Sequence, residues 1–383
     1  MAQKPSSKLK MIEGFISGHF DLRYNTISNM VEYKGKSDRD FSPLNESNIY
    51  RLMHLNDIKV SLQQISILLN SDFVPRYNPI TNYFKRIGPL WDNTVHGDYI
   101  AYLGDFIAIE RKKDFVNHLK KWMIRTIVCC HDASYYNKQA LILVGERQNS
   151  GKSSFMRYLC PPELKGYMAE NISTDKDGLI ALTENFLINM DELSTMSKYE
   201  INSLKSVFSK DRIKVRLPFE RRASMLPRIA SFMGSTNKTQ FLNDETGSVR
   251  FLNFEVNSIN WNYAQEVDIN IAWSQAYQLW KVNYPYELTS SEIQQNEIIN
   301  NQYKLSTPEL ELILKHLTPG TPDKHEYFWT ASEVLQFLLE HTHTRMRISA
   351  INIGKALKMA GFKQSQKRTE TFPIRGYFIN SKN

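Results

Sequence analysis

The chain has 383 residues, of which 42% are hydrophobic and 23% are charged. This length and composition allow a large buried core and two or three domains, so we expect a folded protein. No apolar stretch approaches the length that spans a bilayer, and the first residues lack the apolar block of a signal peptide, which predicts a soluble cytoplasmic protein without a membrane partner. Cys129, Cys130 and Cys160 have no metal-ligand spacing and are expected to be small buried side chains.

The formal net charge is +8, which favours an anionic partner. From His341 to Asn383 there are nine lysines and arginines against Glu370 alone, so this segment carries 9 − 1 = +8 and the rest of the chain is balanced. The segment therefore predicts either a surface for a phosphate backbone or a solvated basic tail.

The pattern along the chain predicts an N-terminal α+β domain over residues 1–90, with β-type runs at 20–24 and 30–33. Helical patterns are present near 49–54 and from 60 to 69. A collar-like helical layer is expected over 91–135, with amphipathic helices near 99–107 and 113–130.

Residues 136–285 alternate strand and helix patterns, which predicts an α/β fold with a mostly parallel sheet covered on both faces. The strands are expected at 141–144, 185–190, 228–234 and 251–256. In open sheets of this kind, ligands bind beyond the carboxyl ends of the strands.

A glycine loop follows the first of these strands and opens a helix. Backbone N–H groups and the helix dipole at such a turn hold nucleotide phosphates, Lys152 can reach the terminal phosphates, and the Ser153 hydroxyl can bind Mg²⁺. Gly145 lies one position before the first glycine of the common G-x-x-x-x-G-K-[ST] spacing, where Glu146 stands instead. The alternative is a chance Gly-Lys-Ser in a surface turn. The predicted nucleotide-binding residues are Gln148, Asn149, Ser150, Gly151, Lys152, Ser153 and Ser154.

Asp191 and Glu192 end the second strand, thirty-nine residues after Lys152. At this place in an ATP-hydrolysing site, Asp191 would hold Mg²⁺ and Glu192 would orient or deprotonate the water that attacks the γ-phosphate. A helix N-cap is the other interpretation of the pair.

Asn237 follows the third strand, where a neutral amide can bind both the γ-phosphate and the attacking water. A β-turn asparagine is the alternative. Arg250 precedes the fourth strand, and its guanidinium could neutralise transition-state charge in the site of a neighbouring subunit. The alternative for Arg250 is a surface salt bridge with Asp244 or Glu245.

Between these motifs, basic residues alternate with Ile213 and Val215. A strand would place the charges on one face, as a strip for DNA phosphates or as a solvated strand face. The strip consists of Arg212, Lys214 and Arg216, and it could be extended by Lys205, Lys210, Arg221 and Arg222.

After a helical linker at 286–304, residues 305–383 show three helical patterns and a basic hairpin, which predicts a winged helix-turn-helix. The DNA-binding candidates are Asn352, Lys355 and Lys358 on the presumed recognition helix, and Lys367 and Arg368 at the wing tip. They could read a sequence or hold phosphates. Winged helices also mediate protein contacts.

With these motifs in this order, the chain resembles the virulence-associated E family of P-loop proteins, which are similar to superfamily three helicases of phages, plasmids and integrating elements. The resemblance implies an AAA+-type core that uses ATP and Mg²⁺, and a homo-oligomeric ring, usually hexameric, with ATP sites shared between neighbours. It also implies a hairpin that moves single-stranded DNA through the central channel, while duplex DNA could bind the winged helix. Lys152 and Ser153 would be the P-loop pair, Asn237 the sensor and Arg250 the arginine finger.

The sequence thus favours an ATP-dependent DNA helicase or replication-initiation motor of a mobile element. The alternative is an ATP-gated DNA-binding switch, such as a loader, an initiator without unwinding, or a defence or regulatory factor. A third possibility is a transcription regulator that uses only the winged helix. In that case the Asp191–Glu192 pair would have a purely structural role.

Overall fold

The computed structural model describes residues 8–173, 175–191, 193, 206–216, 222–238, 240–242, 249–304, 307–342, 348–368 and 373–382. The chain divides into two compact units, residues 1–239 with 249–296 and residues 240–248 with 297–383. Within the described ranges, no helix has both the length and the apolar character needed to cross a membrane.

The N-terminal part of the first unit is a small sheet with helices. Its elements are α1 (Lys8–His19), β1 (Phe20–Asn25), β2 (Met30–Gly35), β3 (Ser42–Pro43), α2 (Glu46–Leu55), α3 (Leu62–Leu69) and β4 (Arg76–Tyr77). The strand order is β3-β2-β1-β4, with β1 antiparallel to β2 and parallel to β4. Helix α3 begins at a capping box in which Ser61 and Gln64 each bind the other's backbone N–H. Ile16, Met53 and Ile65 are buried together in its core.

The remainder of the first unit contains the larger sheet. Its elements are α4 (Pro79–Ile87), α5 (Asn93–His96), α6 (Tyr99–Asp105), β5 (Ile107–Ile109), α7 (Lys112–His131), β6 (Ala140–Val144), α8 (Lys152–Tyr158), β7 (Met168–Glu170), α9 (Lys176–Glu184), β8 (Leu187–Met190), β9 (Arg212–Val215), β10 (Ser224–Pro227), β11 (Ser231–Thr236), β12 (Phe251–Ile259), α10 (Tyr263–Glu266) and α11 (Ile269–Lys281). Helix α12 (Ser290–Asn301) begins in the first unit, and its residues from 297 onward belong to the second.

The larger sheet has the order β5-β12-β6-β11-β8-β7. Its last five strands are parallel and β5 is an antiparallel edge, so the fold is mixed α/β with a parallel sheet. Strands β6, β8 and β11 are buried throughout, as in a sheet covered on both faces.

Several predicted boundaries differ from the structure, and two of these differences have a clear physical cause. Helix α6 ends at Asp105, because Ile107 joins strand β5 and pairs with Ile259. The third strand begins at Ser231 instead of residue 228, because the N–H groups of Ile229 and Ala230 both donate to Leu182 O on helix α9. Cys129 and Cys160 are buried as expected, and Cys130 is partly buried.

Two tryptophans anchor helices α7 and α11 in the core beside the sheet. Trp122 and Trp273 are fully buried with ring centroids 6.3 Å apart. The Trp122 indole N–H donates to Phe232 O at 3.1 Å, and the Trp273 N–H donates to Leu159 O at 2.8 Å. Both indoles therefore bury their apolar surface without leaving a donor unpaired.

In the described residues between 307 and 382, the second unit contains three helices and four strands. Its elements are α13 (Pro308–His316), β13 (Leu317–Pro319), β14 (Tyr327–Trp329), α14 (Ala331–Thr342), α15 (Ala350–Met359), β15 (Gln364–Arg368) and β16 (Pro373–Ser381). Strand β16 pairs with β13, β14 and β15, all antiparallel. The three helices and the β15–β16 hairpin agree with the sequence pattern, whereas the three-residue strands β13 and β14 were not predicted.

Lys121 on α7 and Glu292 on α12 form a largely buried ion pair. Lys121 Nζ donates to both Glu292 carboxylate oxygens at 2.8 Å, and Asn117 and the Thr289 N–H donate to the same carboxylate. Burial raises the pKa of Glu292, but these hydrogen bonds and the lysine charge outweigh it and lower the pKa to about 2.

We expect Glu292→Gln to destabilise the protein at neutral pH by up to about 3 kcal/mol. Because folding lowers the pKa, the ionised carboxylate contributes its full stability above the ordinary value of 4.5 and loses it as the pH falls toward 2. Urea unfolding from pH 7 to pH 3 should show the gap between wild type and variant narrowing below pH 4.5. Glu297→Gln, exposed on the same helix, is the control. A gap that is equal at pH 7 and pH 3 would contradict this account.

Candidate functional site

The carboxyl ends of β6, β8 and β11 lie side by side, because β11 pairs in parallel with both other strands. Thr236 pairs with Val144, and Gly234 pairs with Met190. A side chain at Gly234 would place its Cβ 2.5 Å from Met190 O, so the two strands approach closely only with glycine at this position. The loop after β6, Asp191 after β8 and Asn237 after β11 consequently share one edge of the sheet.

A cavity of about 280 Å³ lies at this edge. It is lined by all seven predicted nucleotide-binding residues and by Asp191, Ser235, Thr236, Asn237 and Trp261. Gly151 has φ +86° and caps the start of helix α8, a conformation that favours glycine. Asn149 also has positive φ, at 54°. The loop thus turns sharply and directs the first turn of α8 toward the cavity.

Lys152 is buried at the start of α8, with only 5% of its surface exposed. Its ammonium group donates to Gly145 O, Arg147 O and Ser150 Oγ, each at 2.8 Å. Burial lowers the pKa of Lys152, and the negative charge of Asp191 opposes this shift. The positive charge is therefore held inside the loop by oxygen atoms of the loop itself.

Asp191 is the centre of a hydrogen-bonded cluster. Ser153 and Ser235 each donate to Asp191 Oδ1 at 2.6 Å, and their own hydroxyl oxygens are 3.1 Å apart. Arg157 Nη2 donates to Asp191 Oδ2 at 2.8 Å. Burial raises the pKa of Asp191, but the serine hydrogen bonds and the arginine outweigh it, so the pKa lies below its ordinary value. The carboxylate is held ionised beside the Ser153 hydroxyl.

Arg157 and Ser235 are site residues that the sequence analysis did not select. Arg157 bridges Asp191 and Glu170, and its bond to Glu170 Oε1 measures 2.7 Å. Its hydrogen bond to Glu170 and both carboxylate charges raise the pKa of Arg157 above its ordinary value. The signal for Ser235 was its place in the polar strand end before Asn237. Arg157 gave no such signal, because its partner Glu170 belongs to the short edge strand β7.

Arg250 lies away from the cavity. Its carbonyl accepts from Ala140 N at the beginning of β6, and its Nε donates to Ser209 Oγ at 3.1 Å. Arg250 thus lies beside the amino end of β6, whereas the glycine loop follows its carboxyl end. The five residues of β6 place these two ends about 16 Å apart. The structure does not bring Arg250 to the site of its own chain, and a role in a neighbouring subunit stays a prediction. Glu192 lies outside the described residues.

The basic strip forms one strand of an antiparallel hairpin, β9 with β10. Ile213 and Val215 are buried, while Arg212 and Lys214 are exposed on the other face. Arg216 and Arg222 are exposed and Lys210 is half-buried, whereas Lys205 and Arg221 lie outside the described residues. The alternation therefore turns the charges outward, and DNA contact by this face stays a prediction.

A buried arginine holds the base of this hairpin. Arg228 is 1% exposed, and its guanidinium donates to Ala230 O at 3.0 Å, Phe208 O at 2.7 Å and Asn137 O at 2.8 Å. Burial lowers the pKa of Arg228 to about 10. The side chain thus joins the segment before β9, the segment before β6 and the start of β11.

In the second unit, the DNA-binding candidates lie on α15 and at the end of β15. Asn352, Lys355 and Lys358 are exposed, but the Asn352 amide also donates to Glu309 Oε1 at 3.0 Å. This hydrogen bond ties α15 to α13. Lys367 and Arg368 are exposed, and Lys367 Nζ lies 5.8 Å from the Phe328 ring centroid.

A known protein family matches the part of the chain that contains the larger sheet. Residues 90–305, more than half of the chain, match the virulence-associated protein E-like domain, so the chain belongs to this family. A comparison with curated proteins gave no match.

Among solved structures, the apo structure of the NrS-1 C terminal region (305–718) matches 98% of this chain and 100% of its own, with a TM-score of 0.51 and 12% identity. The A form apo structure of the same region matches 97% and 99%, with a TM-score of 0.47 and 12% identity. At this identity the first likeness establishes a shared fold alone.

We expect Arg228→Met to destabilise the protein by about 3 kcal/mol, because each buried carbonyl left without a donor costs about 1–3 kcal/mol while the loss of a buried charge offsets part of that cost. The measurement is the urea midpoint followed by tryptophan fluorescence. Arg222→Met, which changes an exposed side chain, should shift stability by less than about 0.5 kcal/mol. Equal midpoints for the two variants would mean that Arg228 does not hold the hairpin base.

Proposed function

We propose that this protein is an ATP-dependent DNA motor, a helicase or replication-initiation ATPase of a phage or other mobile genetic element, related to superfamily three helicases. The observation that carries the proposal is the cavity in which a glycine loop, the buried Lys152 and the Ser153–Asp191 pair meet. This combination of a helix N-terminus, a lysine and a hydroxyl–carboxylate pair is suited to a nucleoside triphosphate.

In this proposal, residues 148–154 form a P-loop whose backbone N–H groups bind the phosphates. Lys152 would give up one of its loop acceptors and bind the terminal phosphates instead. Its compact charge, already shielded from water, would then interact strongly with phosphate oxygens. The loop acceptors hold the Lys152 ammonium group in place and limit the reorganisation that binding requires.

The residues present fit a magnesium ion. Mg²⁺ prefers oxygen ligands and is usually held by one or two carboxylates together with substrate phosphates. Ser153 and the ionised Asp191 supply such oxygens, whereas in the described part of the chain no three His, Cys, Asp or Glu side chains gather into a metal site. When bound, Mg²⁺ would offset the negative charge of the phosphates.

The remaining catalytic roles follow from position. Asn237 lines the cavity at the end of β11, where its amide would contact the γ-phosphate or the attacking water. Glu192 directly follows Asp191 in the chain, and we assign it as the base that orients or deprotonates this water. Arg250 lies at the far edge of the sheet, so it would act in the site of the next subunit of a ring, proposed to be a hexamer.

The β9–β10 hairpin would grip single-stranded DNA in the channel of that ring. It is inserted between β8, which leads to Asp191, and β11, which leads to Asn237. Arg228 connects the hairpin base to Ala230, directly before β11, and to Asn137 in the segment before β6. A change at the phosphate site would therefore be transmitted to the β9–β10 hairpin through β11 and the segment before β6.

In the second unit, we assign the three helices and the β15–β16 hairpin as a winged helix that could hold duplex DNA through Lys355, Lys358, Lys367 and Arg368.

We expect Lys152→Ala to abolish DNA-stimulated ATP hydrolysis, since the variant lacks the cation that binds the terminal phosphates. Arg250→Ala should lose activity too, while still binding ATP. Each interface would combine the P-loop of one subunit with Arg250 of its neighbour. In a ring with equal amounts of the two inactive variants, one interface in four would have both intact, so mixing should restore about a quarter of the wild-type rate at most.

The measurement is steady-state phosphate release with and without single-stranded DNA, and strand displacement on a forked duplex. Hydrolysis that survives Lys152→Ala would refute the site, and mixtures without recovery would refute a finger supplied by a neighbour. Turnover and DNA binding by the wild type without strand displacement would favour the ATP-gated switch.

Arg212→Ala and Lys214→Ala should each weaken binding of single-stranded DNA and make its salt dependence shallower, by about one in the slope of log affinity against log salt. ATP binding should stay intact. The measurement is fluorescence anisotropy over a salt series. Lys165→Ala, which removes an exposed charge outside the hairpin, is the matched control. Equal slopes for all three variants and wild type would exclude the hairpin as the DNA-binding strip.

A further inference from the structure

One aromatic side chain at the cavity has no part in the roles above. Trp261 follows strand β12 and lines the same cavity as Lys152 and Asp191, although 53% of its surface is exposed. Its ring lies against Gly151, where an added Cβ would be 2.9 Å from Trp261 Cζ2. A large half-exposed indole at a ligand cavity is typical of a contact surface.

The indole stands on a packed support. Trp261 is stacked on Tyr263 with an interplanar angle of 24° and a centroid distance of 6.4 Å. Tyr263 is buried and packs edge-on against Phe155 and Tyr158, both on helix α8. The turn before it is held by a hydrogen bond from Asn260 N to Phe106 O at 2.8 Å. This support orders the exposed ring relative to the helix that begins with Lys152.

The strand order determines which part of a nucleotide would meet this ring. Strand β6 lies between β11 and β12, so the glycine loop after β6 has different neighbours on its two sides. On the β11 side are Ser235, Asp191 and Asn237, which suit the metal and the terminal phosphate. Trp261 comes from the β12 side. A nucleotide with its last phosphate beside Asp191 would therefore extend toward Trp261 with its nucleoside end.

We propose that Trp261 is the stacking platform for the base of the bound nucleotide, an inference that rests on the proposed function. Stacking of a base on an aromatic ring uses the π-face that every base has. The platform would therefore strengthen binding of purine nucleotides without distinguishing adenine from guanine by hydrogen bonds. Trp261 would contribute to affinity and leave the chemistry at Asp191 unchanged.

The test compares ADP with inorganic pyrophosphate, which has the phosphates but no base, by calorimetry in Mg²⁺ buffer. For Trp261→Ala we expect binding of ADP to weaken about tenfold, because the base loses its stacking partner, while binding of pyrophosphate stays at the wild-type value. Trp261→Phe, which keeps an aromatic face, should recover most of the affinity for ADP. In turnover, Trp261→Ala should raise KM for ATP and leave kcat near the wild-type value.

Unchanged ADP binding by Trp261→Ala would overturn the inference. An equal loss for ADP and pyrophosphate would overturn it too, since Trp261 would then only shape the loop at Gly151. Pyrophosphate binding also reports that the variant's site is folded. If wild type binds neither compound, the proposed function itself fails, which is a different result from failure of the platform alone.

Discussion

The parallel pairing of β11 between β6 and β8 is the constraint on which the site depends. Ser153, Asp191 and Ser235 come from three separate segments, yet one carboxylate oxygen accepts from both serines at 2.6 Å. Such a cluster forms only when the three carboxyl ends are in register, and a shift of one strand by one residue would turn its polar group to the other face. The close approach at Gly234 helps to maintain that register.

Three buried basic side chains differ in the kind of acceptor that their N–H groups bind. Lys152 and Arg228 donate to oxygens that are mostly backbone carbonyls, whereas Lys121 is paired with Glu292. A charge held by carbonyls of its own loop keeps more of its attraction for an incoming anion than a charge in direct contact with a carboxylate. This difference separates the lysine of the candidate site from the lysine that stabilises the fold.

The basic hairpin lies in the chain between β8 and β11, two strands that end at the cavity. The hairpin leaves the sheet after β8 and returns at β11, and Arg228 binds carbonyls on either side of that insertion. In the proposed motor, this arrangement would let phosphate release alter the grip on DNA without a separate domain movement. The Trp261 platform approaches from the opposite side, through β12, so base contact and hairpin movement would use different strands.

Local sequence patterns were enough to predict most of the main strands and helices of this protein. The glycine loop and its helix, the alternation of Arg212, Ile213, Lys214 and Val215, and the main strands are local, because backbone dihedrals and residue periods set them. Short edge strands such as β7 escaped prediction, since three residues carry no period. Residues 228–230 left the predicted strand because their hydrogen bonds go to α9 and to the hairpin base.

Only the tertiary structure decided which side chains share a site. The strand order placed Arg250 at the end of the sheet opposite the cavity. It brought Ser235 and Trp261 to the cavity lining and Arg157 into contact with Asp191. These are contacts between segments far apart in the chain, with partners chosen by which strands pair. The local sequence therefore determines which reactive side chains are available. Their assembly into one cavity follows from the long-range pairing of buried strands, which no local pattern specifies.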